Sequence, residues 1–268
     1  MFITIINDCK SQNDFGRQTT RLSSYFNCGV NTVGVSSSLV TKQATLEAAG
    51  NLIDVLDASE GTNGIVIVNV APRGGINKKW ENGTPFCYFY YKKVLIISTF
   101  EGFTLSLVKK LGLVEQVFLV DIKTVTEYAS NKKLITQDQA AYIVNTQFRS
   151  YEFEPRLAKW LSENIPLPHK QIPISEVENA PQQIWYIDDF GNCKTTLLKK
   201  ELKIVKGTVT TSILGKLPYY NRLKDVPHNT IGIYVGSSGI GADRFIEITL
   251  QRGNLAHQKN LKVGDKII

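Results

Sequence analysis

The sequence predicts an α/β N-terminal domain built on a central, mainly parallel sheet, followed by a smaller all-β, barrel-like C-terminal domain. Three observations predict it. Strand-like and helix-like segments alternate over the first 160 or so residues, the pattern of an α/β layer domain. Residues 64–70, Gly-Ile-Val-Ile-Val-Asn-Val, form a β-branched run typical of a strand buried on both faces. Beyond residue 175 the chain changes to short strands punctuated by turns.

In order, residues 2–7 read as a buried strand ending at a polar turn, and residues 14–26 as a helix. Residues 31–35 are a short strand. Residues 41–56 are helical, with Leu46, Ala49, Ile53 and Leu56 at the spacing of one helix face. Residues 86–91 and 94–97 pair as a hairpin. A helix at 103–111, a strand at 117–120 and helices at 136–145 and 155–164 complete the first domain, 1–165. Ile165-Pro166-Leu167-Pro168 and Ile172-Pro173-Ile174 are extended and proline-rich, as a linker would be. The second domain, 175–268, holds strands at 183–187, 193–198, 202–205, 208–213, 230–235, 245–250 and 266–268.

Composition narrows the function. Hydrophobic residues make up 43% and charged residues 21% of 268, as in an ordinary globular protein. No apolar run approaches the roughly 18 residues of a membrane helix. Residues 1–7 lack a basic start and a cleavage-like site, so they read as a first strand and not a leader. These features suggest a cytoplasmic protein without membrane contact. Net charge is +7 and pI about 9.1. The basic residues are scattered as pairs such as Lys78-Lys79, Lys109-Lys110 and Lys199-Lys200, which read as solvated surface, and no nucleic-acid motif accompanies them. The four cysteines have no CxxC spacing and the three histidines do not cluster with Cys or carboxylates, so neither a disulfide framework nor a metal site is expected. Asn82-Gly83-Thr84 fits a glycosylation acceptor but reads as a turn.

Asp8 stands at the end of the first strand, where open α/β sheets bind ligands. It fits a helix N-cap as well as a ligand for ribose hydroxyls. Two distant motifs say more. One is Ile187-Asp188-Asp189-Phe190-Gly191-Asn192, followed by Thr195-Thr196. The other is Ile246-Glu247-Ile248 with Arg252-Gly253-Asn254-Leu255-Ala256, just before Leu261-Lys262-Val263-Gly264-Asp265. Alone, Asp-Phe-Gly-Asn is good turn chemistry. Together the two resemble the C-terminal domain of the enzymes that attack C5′ of S-adenosylmethionine (SAM): the SAM hydroxide adenosyltransferases and the related fluorinase and chlorinase.

The resemblance implies roles. Asp8 would take the ribose hydroxyls. A second family Asp falls at Asn13, with Asp14 adjacent. Asp188 would hold the methionine ammonium, Asn192 would read the adenine edge and Phe190 would wall the purine. Tyr220, or Tyr219 in its place, would stack on adenine; core packing explains either residue equally well. Ser237, in Ser237-Ser238-Gly239, would meet the methionine carboxylate, and Arg252 would offer main-chain contacts to adenine. Residues 240–244 depart from the family pattern as an insertion-like segment.

The water-activating positions differ. The family's Asp-Pro-Gly-Val-Gly loop is Ala71-Pro72-Arg73-Gly74-Gly75 here, its Arg falls at Lys78, and its His falls at Arg149. Arg cannot act as a general base, but Lys78 and Arg149 would attract hydroxide or another anion, with Glu152 or Glu101 orienting water. Ser150 matches a halogenase Ser, while that branch's Tyr and Thr become Ala71 and Gly74. The expected reaction is displacement at C5′ of SAM by water or hydroxide, giving adenosine and methionine, with SAM as substrate and no further cofactor. The alternatives are a catalytically silent SAM or adenosine sensor, or a SAM-dependent halogenase. The resemblance further implies a homotrimer in which each site joins the N-terminal domain of one subunit to the C-terminal domain of the next.

Overall fold

The computed structural model describes residues 1–36, 42–72 and 84–268. Among them, seven strands form one mixed sheet: β1 (Phe2–Asn7), β2 (Asn31–Gly34), β3 (Gly64–Asn69), β4 (Phe86–Tyr91), β5 (Val94–Thr99), β6 (Gln116–Val120) and β7 (Lys170–Pro173). Their order is β2-β1-β3-β5-β4-β6-β7. From β2 to β5 the pairings are parallel; from β5 outward through β4, β6 and β7 they are antiparallel. The proline-rich stretch is therefore not a free linker. Residues 170–173 pair with β6 as an edge strand, a position where Pro173 removes no ladder bond that a further strand would need.

Both faces of the sheet are covered, which is why β1, β3 and β5 are almost uniformly apolar. Ile3, Ile5, Ile65, Ile67 and Ile97 pack under α1 (Gln12–Phe26), α4 (Ile122–Asn131), α5 (Gln137–Asn145) and α7 (Glu154–Ser162). Ile6, Val66, Val68 and Ile96 pack under α2 (Gln43–Ala58) and α3 (Ser106–Lys110). A short helix, α6 (Arg149–Glu152), precedes α7. Helix α1 is started by a capping box, Ser11 with Asp14. Ser11 is thus the N-cap, and Asp8 is not.

The C-terminal region is antiparallel. Strands β8 (Ile184–Ile187), β9 (Cys193–Leu198), β12 (Ile231–Ile240) and β13 (Asp243–Leu250) form a four-stranded sheet in the order β12-β13-β9-β8. A hairpin of β10 (Thr208–Thr211) and β11 (Gly215–Pro218) lies beside it, and the short helix α8 (Leu255–Lys259) follows β13. Their own core gathers Ile184, Leu197, Val209, Ile233, Ile248 and Leu255. The strand expected at 202–205 is absent: Val205 only bridges Thr208 across a tight turn.

Helix α2 joins the two regions. Trp185 of β8 is 0% exposed and lies flat on Gly50, where a Cβ would stand 2.1 Å from the indole. Arg244, within the insertion-like segment, reaches back from the β12–β13 hairpin to hold Asp57 with a two-pronged guanidinium contact of 2.6 and 3.1 Å. Lys194 and Ser238 converge on Asp54. Gly50→Ala should destabilise the protein by about 1–3 kcal/mol in urea unfolding. The substitution favours the helix by about 1 kcal/mol, so a stabilised variant would show that Trp185 has room to retreat.

Candidate functional site

The carboxyl ends of the parallel strands surround a cavity of about 660 Å³. Asn7 ends β1, Asn69 ends β3 and Thr99 ends β5, and all three line it. It therefore sits where β1 leads to β2 on one side and neighbours β3 on the other, the switch point at which open α/β sheets bind ligands. Arg17 of α1 and Arg149, Ser150 and Tyr151 of α6 also line it, as do Ala71 and Pro72 of the loop after β3.

Sequence reasoning finds part of this. Asp8 is 3% exposed, set between the lining residues Asn7 and Cys9. Arg149 and Ser150 are both in the wall. Arg149 Nη1 donates to the Thr84 carbonyl at 2.9 Å and its guanidinium lies over the Phe86 ring at 5.3 Å. Burial lowers its pKa and nearby Glu154 raises it; a guanidinium so placed remains a cation. Lys78 and Arg73 lie outside the described residues. Glu152 is unsuited to orienting water: it is buried and paired with Arg17, Arg21 and Arg156 at 3.5, 2.8 and 3.1 Å. It clamps α1 to α6 and α7 instead. Glu101 accepts from Thr84 Oγ1 at 3.3 Å. Two lining residues to which the sequence does not point are Asn69 and Arg17.

The C-terminal candidates form a second cluster. The β8–β9 turn is built around the Asp188 carboxylate, which accepts from Phe190 N at 3.0 Å, Asn192 N at 2.8 Å and Asn192 Nδ2 at 2.9 Å. Gly191 adopts φ +80, and a Cβ there would meet the Asn254 side chain; only glycine allows that approach. Asn254 caps α8, accepting from His257 N at 2.8 Å, while Ala256 N donates to Gly191 O at 3.1 Å. Asn192 Oδ1 accepts from Thr249 Oγ1. The two distant motifs thus meet. Asp188, Phe190, Asn192 and the exposed, positive-φ Arg252 lie on adjoining turns. Phe190 projects with 77% exposure.

Ser237 is exposed at a bulge in β12 that Glu247 holds, through Ser237 N at 3.2 Å. Tyr220 is half-buried, with its ring against Gly232. None of Asp188, Phe190, Asn192, Tyr220, Ser237 and Arg252 lines the cavity near Asp8 in the same chain. Among the described residues no group of three or more His, Cys, Asp or Glu side chains is placed to hold a metal ion, and no helix is long and apolar enough to cross a membrane.

No curated protein matches the sequence. Two solved structures share the fold across the chain's full length. An uncharacterized conserved protein from Thermotoga maritima is 15% identical with a TM-score of 0.67, and both chains are covered completely. A conserved hypothetical protein from Thermus thermophilus is 14% identical with a TM-score of 0.56, covering 100% of this chain and 99% of the other. Residues 182–268, which carry the Asp188–Asn192 turn and the turn that meets it, match the family model of the SAM hydroxide adenosyltransferase C-terminal domain.

Proposed function

We propose that this protein binds SAM and cleaves it at C5′ with water or hydroxide, releasing adenosine and methionine. The observation that carries the reading is the cavity at the carboxyl ends of β1, β3 and β5, with Arg149 and Ser150 in its wall and Asp8 at its edge. The sulfonium is already an activated leaving group. The protein has only to hold a nucleophile in line with the C5′–S bond and remove part of its solvation. Arg149, partly desolvated, attracts an anionic nucleophile to that wall, and Ser150 offers a hydroxyl beside it. Lys78, six residues after Pro72 in the sequence, is assigned the same electrostatic task.

The cavity supplies the ribose end of the site and the Asp188–Asn192 turn supplies the methionine and adenine contacts. Their separation within one chain supports a homotrimer in which the turn of one copy closes the cavity of another, with exposed Phe190 against the purine. The protein acts in the cytoplasm in this reading. Light scattering of the purified protein checks the assembly.

The direct test is incubation with SAM, with and without chloride, followed by chromatography and mass spectrometry. Adenosine and methionine should appear in step. Asp8→Ala should weaken SAM binding about tenfold to a hundredfold, the loss of one or two hydrogen bonds to a carboxylate. A chlorinated nucleoside would replace water by halide as the nucleophile. SAM bound but intact would leave a sensor.

A further inference from the structure

Behind the cavity floor lies a carboxyl that the proposed chemistry does not use. Glu154 opens α7 and is 0% exposed. Its Oε2 accepts from Gln18 Nε2 at 3.1 Å, and its Oε1 is buried without a hydrogen-bond partner. Gln18, 1% exposed, accepts in turn from Asn7 Nδ2 at 3.5 Å. Asn7 Oδ1 accepts from Asn69 Nδ2 and from Cys9 N, both at 3.1 Å. Asn7, Cys9 and Asn69 line the cavity. Three amides thus connect the ligand-facing floor to a carboxyl sealed in the core.

Each of these three amides donates inward, and Gln18 and Asn7 accept from the next one out. The inner end sets that direction. Burial, with Asp8 nearby, pushes the Glu154 carboxyl well above the usual carboxylate range, against the pull of Arg149 and of the Gln18 amide. A neutral carboxyl with its proton on Oε1 keeps Oε2 as the acceptor for Gln18, the pairing seen in the structure. When ionised it can only accept. In both of these forms Gln18 turns its NH₂ inward, which leaves its carbonyl for Asn7, and Asn7's carbonyl for Asn69. The outermost group is then the Asn69 carbonyl oxygen, an acceptor. In a water-poor interior each link polarises the next.

We propose that Glu154 is a positioning residue: acting through Gln18, it fixes the side-chain amides of Asn7 and Asn69 so that the cavity floor presents an acceptor and selects a ligand with hydroxyl donors, the vicinal diol of a ribose. The inference rests on the nucleoside reading of this cavity and adds the group that enforces its selectivity.

The test compares adenosine with 2′-deoxyadenosine and 3′-deoxyadenosine by calorimetry on the intact protein, in wild type, Glu154→Met and Glu154→Gln. Met keeps the volume and lacks a competent acceptor; Gln keeps an acceptor for Gln18. Wild type should prefer adenosine, Glu154→Met should lose about tenfold of that preference, and Glu154→Gln should keep it. A merely structural role would not separate the two variants in this ratio. Should Glu154→Met fail to fold, Gln18→Met breaks the same chain one link outward and carries the same expectation. Unchanged preference in Glu154→Met and Gln18→Met overturns the proposal. Side-chain amide NMR resonances of Asn7 and Asn69 give a readout without ligand. If wild type binds no nucleoside yet these resonances move in Glu154→Met and not in Glu154→Gln, the positioning role stands and the nucleoside reading falls. If they move in neither, the positioning role falls.

Discussion

Glu154→Gln should flatten the pH dependence of stability and leave the variant more stable than wild type at alkaline pH. The carboxyl is fully buried, and burial is the largest influence raising its pKa. The sign follows from proton counting. Between the ordinary carboxylate range of the unfolded chain and the raised value of the folded one, the native state holds a proton that the unfolded state has released. Stability therefore falls as pH rises through that window, by about 1.4 kcal/mol per pH unit for one proton. It is fully present below the unfolded value and stops falling once the folded carboxyl ionises. At that point Arg149 offers partial compensation and Asp8 opposes it. The glutamine side chain of the variant cannot titrate. Its carbonyl can accept from Gln18 as Oε2 does, and its NH₂ takes the place of an oxygen that has no partner to lose. Urea unfolding over a pH series rising from pH 5 should show wild type losing stability relative to the variant until the folded carboxyl ionises. Parallel curves would mean that the buried carboxyl does not carry this proton.

The sequence makes the sheet legible and conceals this acid. β1, β3 and β5 are runs whose apolar character survives any reading, because strands covered on both faces have little polar content. Helix α4 escapes such a reading: Ile122-Lys123-Thr124-Val125-Thr126 is rich in β-branched residues and gives no strong helical preference, yet Asp121 caps it and Val125 and Ala129 are buried against the sheet. β7 resembles linker because prolines surround it, and an edge position tolerates them. In the site, Asp8, Arg149 and Ser150 are found by resemblance. Glu154, Gln18 and Asn69 carry no local mark. An acid in the first turn of a helix usually faces solvent and complements the helix dipole; only the packing of α7 on α1 and the sheet makes this one a buried carboxyl. The C-terminal motifs are legible as a pair, but that Gly191 and Asn254 interlock follows only from the tertiary contact.

Asp188→Ala should weaken SAM binding by about 2–5 kcal/mol, the cost of removing one partner from a desolvated charge pair, or roughly thirtyfold to several-thousandfold. Two mechanisms predict a loss. The carboxylate already accepts three hydrogen bonds from its own turn, and a carboxylate has about four acceptor positions. One position is left for a ligand ammonium. Alternatively, the residue works only by shaping the turn, holding Asn192 where Thr249 meets it and Phe190 where it projects. Asp188→Asn decides between them. Its Oδ1 can still accept from Phe190 N and Asn192 N, which keeps the turn's backbone; its NH₂ cannot accept from Asn192 Nδ2 as Oδ2 does, and the negative charge is gone. If Asp188 binds the ammonium, Asp188→Asn should lose SAM nearly as severely as Asp188→Ala while keeping affinity for adenosine, which has no methionine moiety. If the turn alone matters, Asp188→Asn should bind both ligands close to wild type, and Asp188→Ala should lose both together. Calorimetry with the two ligands against the two variants gives four affinities, and no single pattern among them fits both mechanisms.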